Sequence, residues 1–194
     1  MMAKIQQEDR LNLAPKKFNM WIFIFTSFMF FAALTSGFIV YAGGSSAHGM
    51  NMKLPDAFMY STAVIILSSI TMFLASQAAR RLQFAKQRLF LWLTIFLGIA
   101  FFAIQLYAWY YLVTKMGVYF SNPNASQSFI YVFTGMHLLH IFAGLLLLAN
   151  TLWRSYRSIE QVKNLYSMQM SSIFWHFVDI IWIYLYVFLL LNQQ

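Results

Sequence analysis

The chain has no cysteine and only five acidic residues among its 194. Without thiols it can form no disulfide, thiolate metal site, iron–sulfur cluster or thioether-attached haem. Charged residues make up 9% of the chain, against about 25% in an average soluble domain. So small a polar inventory cannot solvate a globular surface. Also missing are an HExxH zinc motif, a Gly-rich phosphate loop, an internal repeat, a low-complexity tract and a credible Ser/His/Asp catalytic arrangement. What is present is apolar: 61% hydrophobic and 20% aromatic residues, with a mean hydropathy of +0.63. The solvent implied is lipid.

Five stretches reach the roughly 20 apolar residues that a membrane-spanning helix needs. They run over about 18–41, 58–78, 89–113, 129–153 and 173–191, and predict a single all-α membrane domain over 1–194. Helix is the required form, because lipid offers no partner to an unpaired backbone group and the ten-residue alternation of a barrel is absent. The first stretch exceeds the 7–15 residues of a signal-peptide core and four more follow it, so it reads as a span.

The formal charge of +8 would suggest nucleic acid in a soluble protein. Here its position carries the information. Lys4, Arg10, Lys16, Lys17, Arg80, Arg81, Lys86, Arg88, Arg154, Arg157 and Lys163 fall on one side of a five-span serpentine, and only Lys53 and Lys115 on the other. The positive-inside rule therefore predicts a cytoplasmic N-terminus and a C-terminus outside, on the periplasmic side. Short basic strips at a membrane border leave no continuous face for nucleic acid. The outer connections, Gly43–Ala57 and Thr114–Ser128, are irregular by their Gly, Ser, Pro and Asn content and too short for a further domain.

Few polar side chains fall inside the spans: Gln105 in the third, His137 and His140 in the fourth, His176 and Asp179 in the fifth. His176 and Asp179 are three residues apart and share a helix face, as do His137 and His140. Read along the spans, His137 and His176 sit at different levels, so a compact four-ligand cluster does not follow. A functional reading makes these residues a metal site, a haem site or a proton relay; three His and one Asp suit zinc chemically. A di-iron bundle needs several Glu ligands, and Glu8 and Glu160 lie outside the spans. The structural reading makes them interhelical hydrogen-bonding residues. It is the more economical one, with His176 and Asp179 expected to lock span five to span four. Gly37, Gly98, Gly135, Gly144, Ser68-Ser69 and Ala32-Ala33 predict close helix contacts, and Trp21, Trp109 and Trp153 predict interfacial anchors.

Two segments carry a resemblance. Phe174-Trp175-His176-Phe177-Val178-Asp179 followed by an apolar, aromatic run is similar to the last-helix signature of subunit III of the haem–copper oxidases. Thr134-Gly135-Met136-His137-Leu138-Leu139-His140 with Gly144 resembles the TGxHxxHxxxG stretch of the preceding helix in that family. Leu54-Pro55, Ser61-Thr62 and Leu67-Ser68-Ser69 resemble its second-helix pattern, and Met20–Phe31 its first. The match runs in order over nearly the whole chain and corresponds to the five-helix bacterial type.

The resemblance implies a non-catalytic, cofactor-free subunit III in the inner membrane of a bacterium. It would pack against the catalytic haem–copper subunit I and other oxidase subunits and hold phospholipids in an intramembrane cleft. Haem, copper, oxygen reduction and proton pumping would belong to the partner subunits and the complex. Two family carboxylates are absent: Ser27 stands where a membrane-embedded Glu is usual, and Ala108 where a second is common. Any role resting on those acids is put in question. Rival readings are an accessory protein of nitric-oxide reduction, a small membrane transporter, and a stand-alone metalloenzyme using the His residues.

Overall fold

The computed structural model describes residues 13–44, 53–120, 125–157 and 161–193. The tail cations Lys4 and Arg10, Glu8, Glu160, most of the first outer connection and residues 121–124 of the second lie outside those residues. Five α-helices account for nearly everything described: α1 Leu13–Gly43, α2 Ala57–Arg80, α3 Phe84–Met116, α4 Ala125–Tyr156 and α5 Gln161–Leu191. All five are long and apolar enough to cross a membrane. The shortest, α2, has 24 residues, about 36 Å at 1.5 Å per residue against a hydrocarbon core of about 30 Å. The expected five-span, all-α membrane architecture is the one observed.

Each helix exceeds its predicted span because polar residues continue the helix past the apolar run. The largest extension is at α5, which begins at Gln161 although its apolar run begins at Ile173. This moves His176 from near a border to the midpoint of its helix. The difference in level expected between His137 and His176 holds all the same: the His137 ring packs at 5.0 Å on Trp182, six residues further along α5 than His176.

Helices α2, α3, α4 and α5 form a ring in which each packs on the next and α5 closes back onto α2, while α1 lies against α4 and α5. Only residues 81–83 join α2 to α3, and this pair packs most extensively. At the other end of α3, Gly117 adopts φ +63° and the N–H of Val118 returns to the Leu112 carbonyl at 3.1 Å. That is a left-handed helix stop suited to glycine. One end of the bundle carries Lys16, Lys17, Arg80, Arg81, Lys86, Arg88, Arg154, Arg157 and Lys163; the opposite end carries Lys53 and Lys115.

Two tryptophans of α5 organise the interior, both fully buried. Trp182 stacks on Phe58 of α2 and meets the Phe101 edge of α3. Trp175 lies between Gly98 of α3 and Gly144 of α4, and a Cβ on either glycine would come within 2.8 and 3.0 Å of its ring. Gly135 faces Trp109 at ordinary contact distance. Gly37 has no neighbour within 4 Å of a built Cβ, so the close contact predicted there is not made. Outward faces of the helices are studded with exposed Phe, Ile, Leu and Tyr, as suits a chain surrounded by lipid.

Candidate functional site: polar groups inside the membrane

His137, on α4, is fully buried at the centre of the bundle. The rings of Trp182, Phe101 and Phe31 surround it, with centroids 5.0, 5.7 and 6.5 Å away. Neither ring nitrogen has a hydrogen-bond partner. Three residues on, His140 faces α1 and both of its nitrogens are engaged. Nδ1 lies 2.8 Å from the Met136 carbonyl, and Nε2 lies 3.3 Å from Ser27 Oγ. A carbonyl only accepts, so Nδ1 carries the proton and Nε2 accepts from the serine hydroxyl. Ser27 of α1 thus meets the imidazole of α4. Ala108 is buried in the core.

His176 and Asp179 face α2. Ser69 Oγ lies 2.8 Å from His176 Nδ1, and Asp179 Oδ2 lies 3.8 Å from the same nitrogen. The expectation that this pair locks span five to span four is corrected: α4 is clasped instead by Thr151 to Ser171 at 2.8 Å and Arg154 to Ser167 at 3.0 Å. The reason is rotational. Trp175 turns toward the glycines of α3 and α4, which directs the adjacent His176 round to α2.

Ser69, His176 and Asp179 have the composition of a hydrolase triad but not its wiring. Both oxygens address Nδ1, so no proton can pass through the ring from serine to carboxylate, as a triad requires. Among the described residues no three His, Asp or Glu side chains come together in a group that could hold a metal ion. The rings pressed on His137 and the two bonds at His140 leave neither imidazole placed to meet a haem iron.

What the polar groups do is join helices. Gln105 of α3 donates to Ser61 Oγ of α2 at 2.9 Å. Sequence reasoning missed most of the other partners. Trp175 donates to Ser68 at 2.9 Å and Trp182 to Thr62 at 3.0 Å, both from α5 to α2. Thr71 and Thr94 join α2 to α3 at 2.9 Å, and Thr35 and Tyr184 join α1 to α5 at 2.8 Å. Gln87 and Asn164, both buried, exchange amide bonds of 3.3 Å across the α3–α5 diagonal. The available signal was a hydroxyl or amide inside an apolar run, which the sequence reading treated mainly as a small side chain.

Trp21 and Trp153 are more than half exposed, as interfacial anchors would be. Trp109 is not such an anchor: it turns inward, packs on Tyr131 and donates to Thr134 Oγ1 at 2.9 Å. Replacing Trp109 by Phe keeps the ring and removes that bond. It is expected to lower stability by about 0.6 kcal/mol, within the range of interhelical bonds in membranes. A thermal shift measurement in detergent showing no loss would return Trp109 to the role of anchor.

The family model described as cytochrome c oxidase subunit III matches residues 12–193. The cytochrome c oxidase subunit 3 of Alkalihalophilus pseudofirmus is 26% identical over 182 residues, covering 92% of this chain and 88% of that protein. The cytochrome bo(3) ubiquinol oxidase subunit 3 of Pseudomonas aeruginosa is 30% identical over 172 residues, covering 86% and 79%. A subunit 3 of Thermostichus vulcanus is 33% identical over 130 residues, covering 66% and 62%. With nearly its whole length matched, the chain belongs to the cytochrome c oxidase subunit III family, the subunit III of terminal haem–copper oxidases.

Proposed function

We propose that this protein is the non-catalytic scaffold subunit of an aerobic respiratory oxidase, a single membrane domain packed against the catalytic haem–copper subunit. The observation that carries the reading is the use made of its intramembrane polar groups. Ser61, Ser68, Thr62, Thr71, Gln105, His140 and Ser171 are all committed to other helices of the same chain. Among the described residues no comparable set of polar groups converges on a space where a substrate could react. Haem and copper, and with them oxygen reduction to water, belong to the partner subunits.

The bacterial relatives support placement in a bacterial inner membrane, and the uneven distribution of Lys and Arg supports a cytoplasmic N-terminus. A lipid-holding role is supported by a groove of about 690 Å³ at the end opposite the basic one. Its lining includes Lys53, Asp56, Tyr60, Ile104, Tyr107 and Tyr111. A cation beside tyrosine rings and apolar side chains suits a phospholipid's head group and chain.

Purification of the tagged chain from native membranes under mild detergent tests the reading. Co-isolation with haem-bearing polypeptides is expected. Deleting the chain should leave the initial oxidase rate per haem nearly unchanged and shorten the time over which activity persists during turnover. Isolation of the chain alone, or an initial rate abolished in an intact remaining complex, would sink the proposal.

A further inference from the structure

His176 is the midpoint of α5, and its partner Ser69 lies near the midpoint of α2. At about 1.5 Å per residue α2 is about 36 Å long, close to the hydrocarbon thickness of about 30 Å, so Ser69 and the imidazole 2.8 Å from it lie near the membrane's middle. The imidazole therefore sits where lipid has no hydrogen-bonding capacity. Yet the side chain is 32% exposed, on the outside of the α2–α5 seam. Nδ1 is taken by Ser69 at 2.8 Å, and Nε2 has no partner in the chain and is not among its enclosed polar atoms. Behind it, Asp179 is 4% exposed, with Oδ2 3.8 Å from His176 Nδ1 and neither carboxylate oxygen in a hydrogen bond. The remaining interior hydroxyls and amides of the bundle are matched within the chain, apart from His137 and one oxygen of Gln105. Among the described residues, this pair sets an outward imidazole nitrogen in front of a buried carboxylate at mid-depth.

The face around it is otherwise well suited to helix packing. Ile180, Ile183 and Val187 share the His176 side of α5, and Ile66 and Phe73 share the Ser69 side of α2, by three- and four-residue spacing. All five are at least 40% exposed. On the other flank of α5, Tyr184 and the adjoining surface are occupied by α1.

We infer that the α2–α5 seam is the face on which this chain docks against its oxidase partner. The occupant is a transmembrane helix of a different subunit that brings a hydroxyl, amide or charged side chain to His176 Nε2. Hydrogen-bonding complementarity at mid-membrane chooses this occupant over lipid, because an acyl chain leaves the nitrogen bare. A second copy of this chain, which would bring another imidazole and carboxylate, is the outcome to be tested against it. The inference rests on the scaffold reading above and adds the face and its polar contact.

Photo-crosslinking in cells tests it without disturbing His176. A benzophenone amino acid is placed at Ile180, one turn from His176 and 64% exposed, and in a second variant at Phe96 on α3, 70% exposed. A crosslink from position 180 to a heterologous membrane subunit, with none from position 96, is the expected result. A crosslink from 180 to another copy of this chain overturns the inference. So does an absence of protein crosslinks from 180 in a complex that still co-purifies; that result removes the face and leaves the scaffold reading intact. A chain that co-purifies with nothing overturns both. His176→Phe should also reduce retention of the chain in the purified complex about threefold, with His176→Gln retaining more than His176→Phe, as loss of one interhelical hydrogen bond predicts. Equal retention of all three would overturn the polar contact.

Discussion

Gly98→Ala destabilises the bundle by about 1–3 kcal/mol, the usual cost of overfilling a packed interior. A Cβ at position 98 would stand 2.8 Å from Cη2 of Trp175 and 2.9 Å from Cδ2 of Leu145. Leu145 can change rotamer, but the indole cannot withdraw. Its opposite edge already lies where a Cβ on Gly144 would approach within 3.0 Å, and its Nε1 is held by Ser68 at 2.9 Å. Moving the ring therefore breaks a buried bond or presses α4 outward. Such contacts matter more in a bilayer than in water, since helix association there depends on van der Waals fit rather than on exclusion of water. Gly37→Ala is the control: with nothing within 4 Å, it should melt with the wild type or slightly above it. The check is the melting temperature of the purified complex in detergent. Equal midpoints for Gly98→Ala and wild type would show that the glycine contacts are not tight.

The same glycines show where sequence reasoning reaches and where it stops. Five apolar runs were legible because lipid imposes a length and a helical backbone on each, with no tertiary information required. Gly98 and Gly144 were legible as small residues in such runs. Gly37 has the same appearance and packs against nothing, because the face of α1 on which it lies meets no other helix of this chain. Rotation about the helix axis is the missing variable. It decided that His176 meets Ser69 on α2 instead of a residue on α4, and that Trp109 turns inward to Thr134. Depth was misjudged for a different reason. The start of the apolar run reads as the hydrocarbon boundary, whereas α5 starts twelve residues earlier, at Gln161, and its His176 meets Ser69 near the middle of α2. Intramembrane polar residues could be named from sequence; their partners, largely Ser and Thr, could not, since a hydroxyl in an apolar helix often bonds only to its own backbone. Thr114 does so at the Tyr110 carbonyl.

His137→Leu should raise stability, by about 1–3 kcal/mol, the desolvation cost of a buried polar group left unsatisfied. The imidazole is fully buried, both nitrogens lack partners, and its neighbours are the rings of Phe31, Phe101 and Trp182. A leucine of similar size keeps the contact with those rings and carries no polar atom. His140 supplies the internal comparison on the same helix. With its nitrogens at the Met136 carbonyl and Ser27 hydroxyl, His140→Leu strips a partner from α1 and should melt below wild type. Opposite signs at two histidines three residues apart would separate an uncompensated imidazole from a satisfied one. If His137→Leu instead melted lower, the ring must hold a partner of its own, such as an enclosed water between the helices, and the gain predicted here would be wrong in sign. The double variant is informative too. Both imidazoles pack on Phe31, so the double variant should depart from additivity by more than about 0.5 kcal/mol, and strict additivity would mean that the shared ring couples nothing.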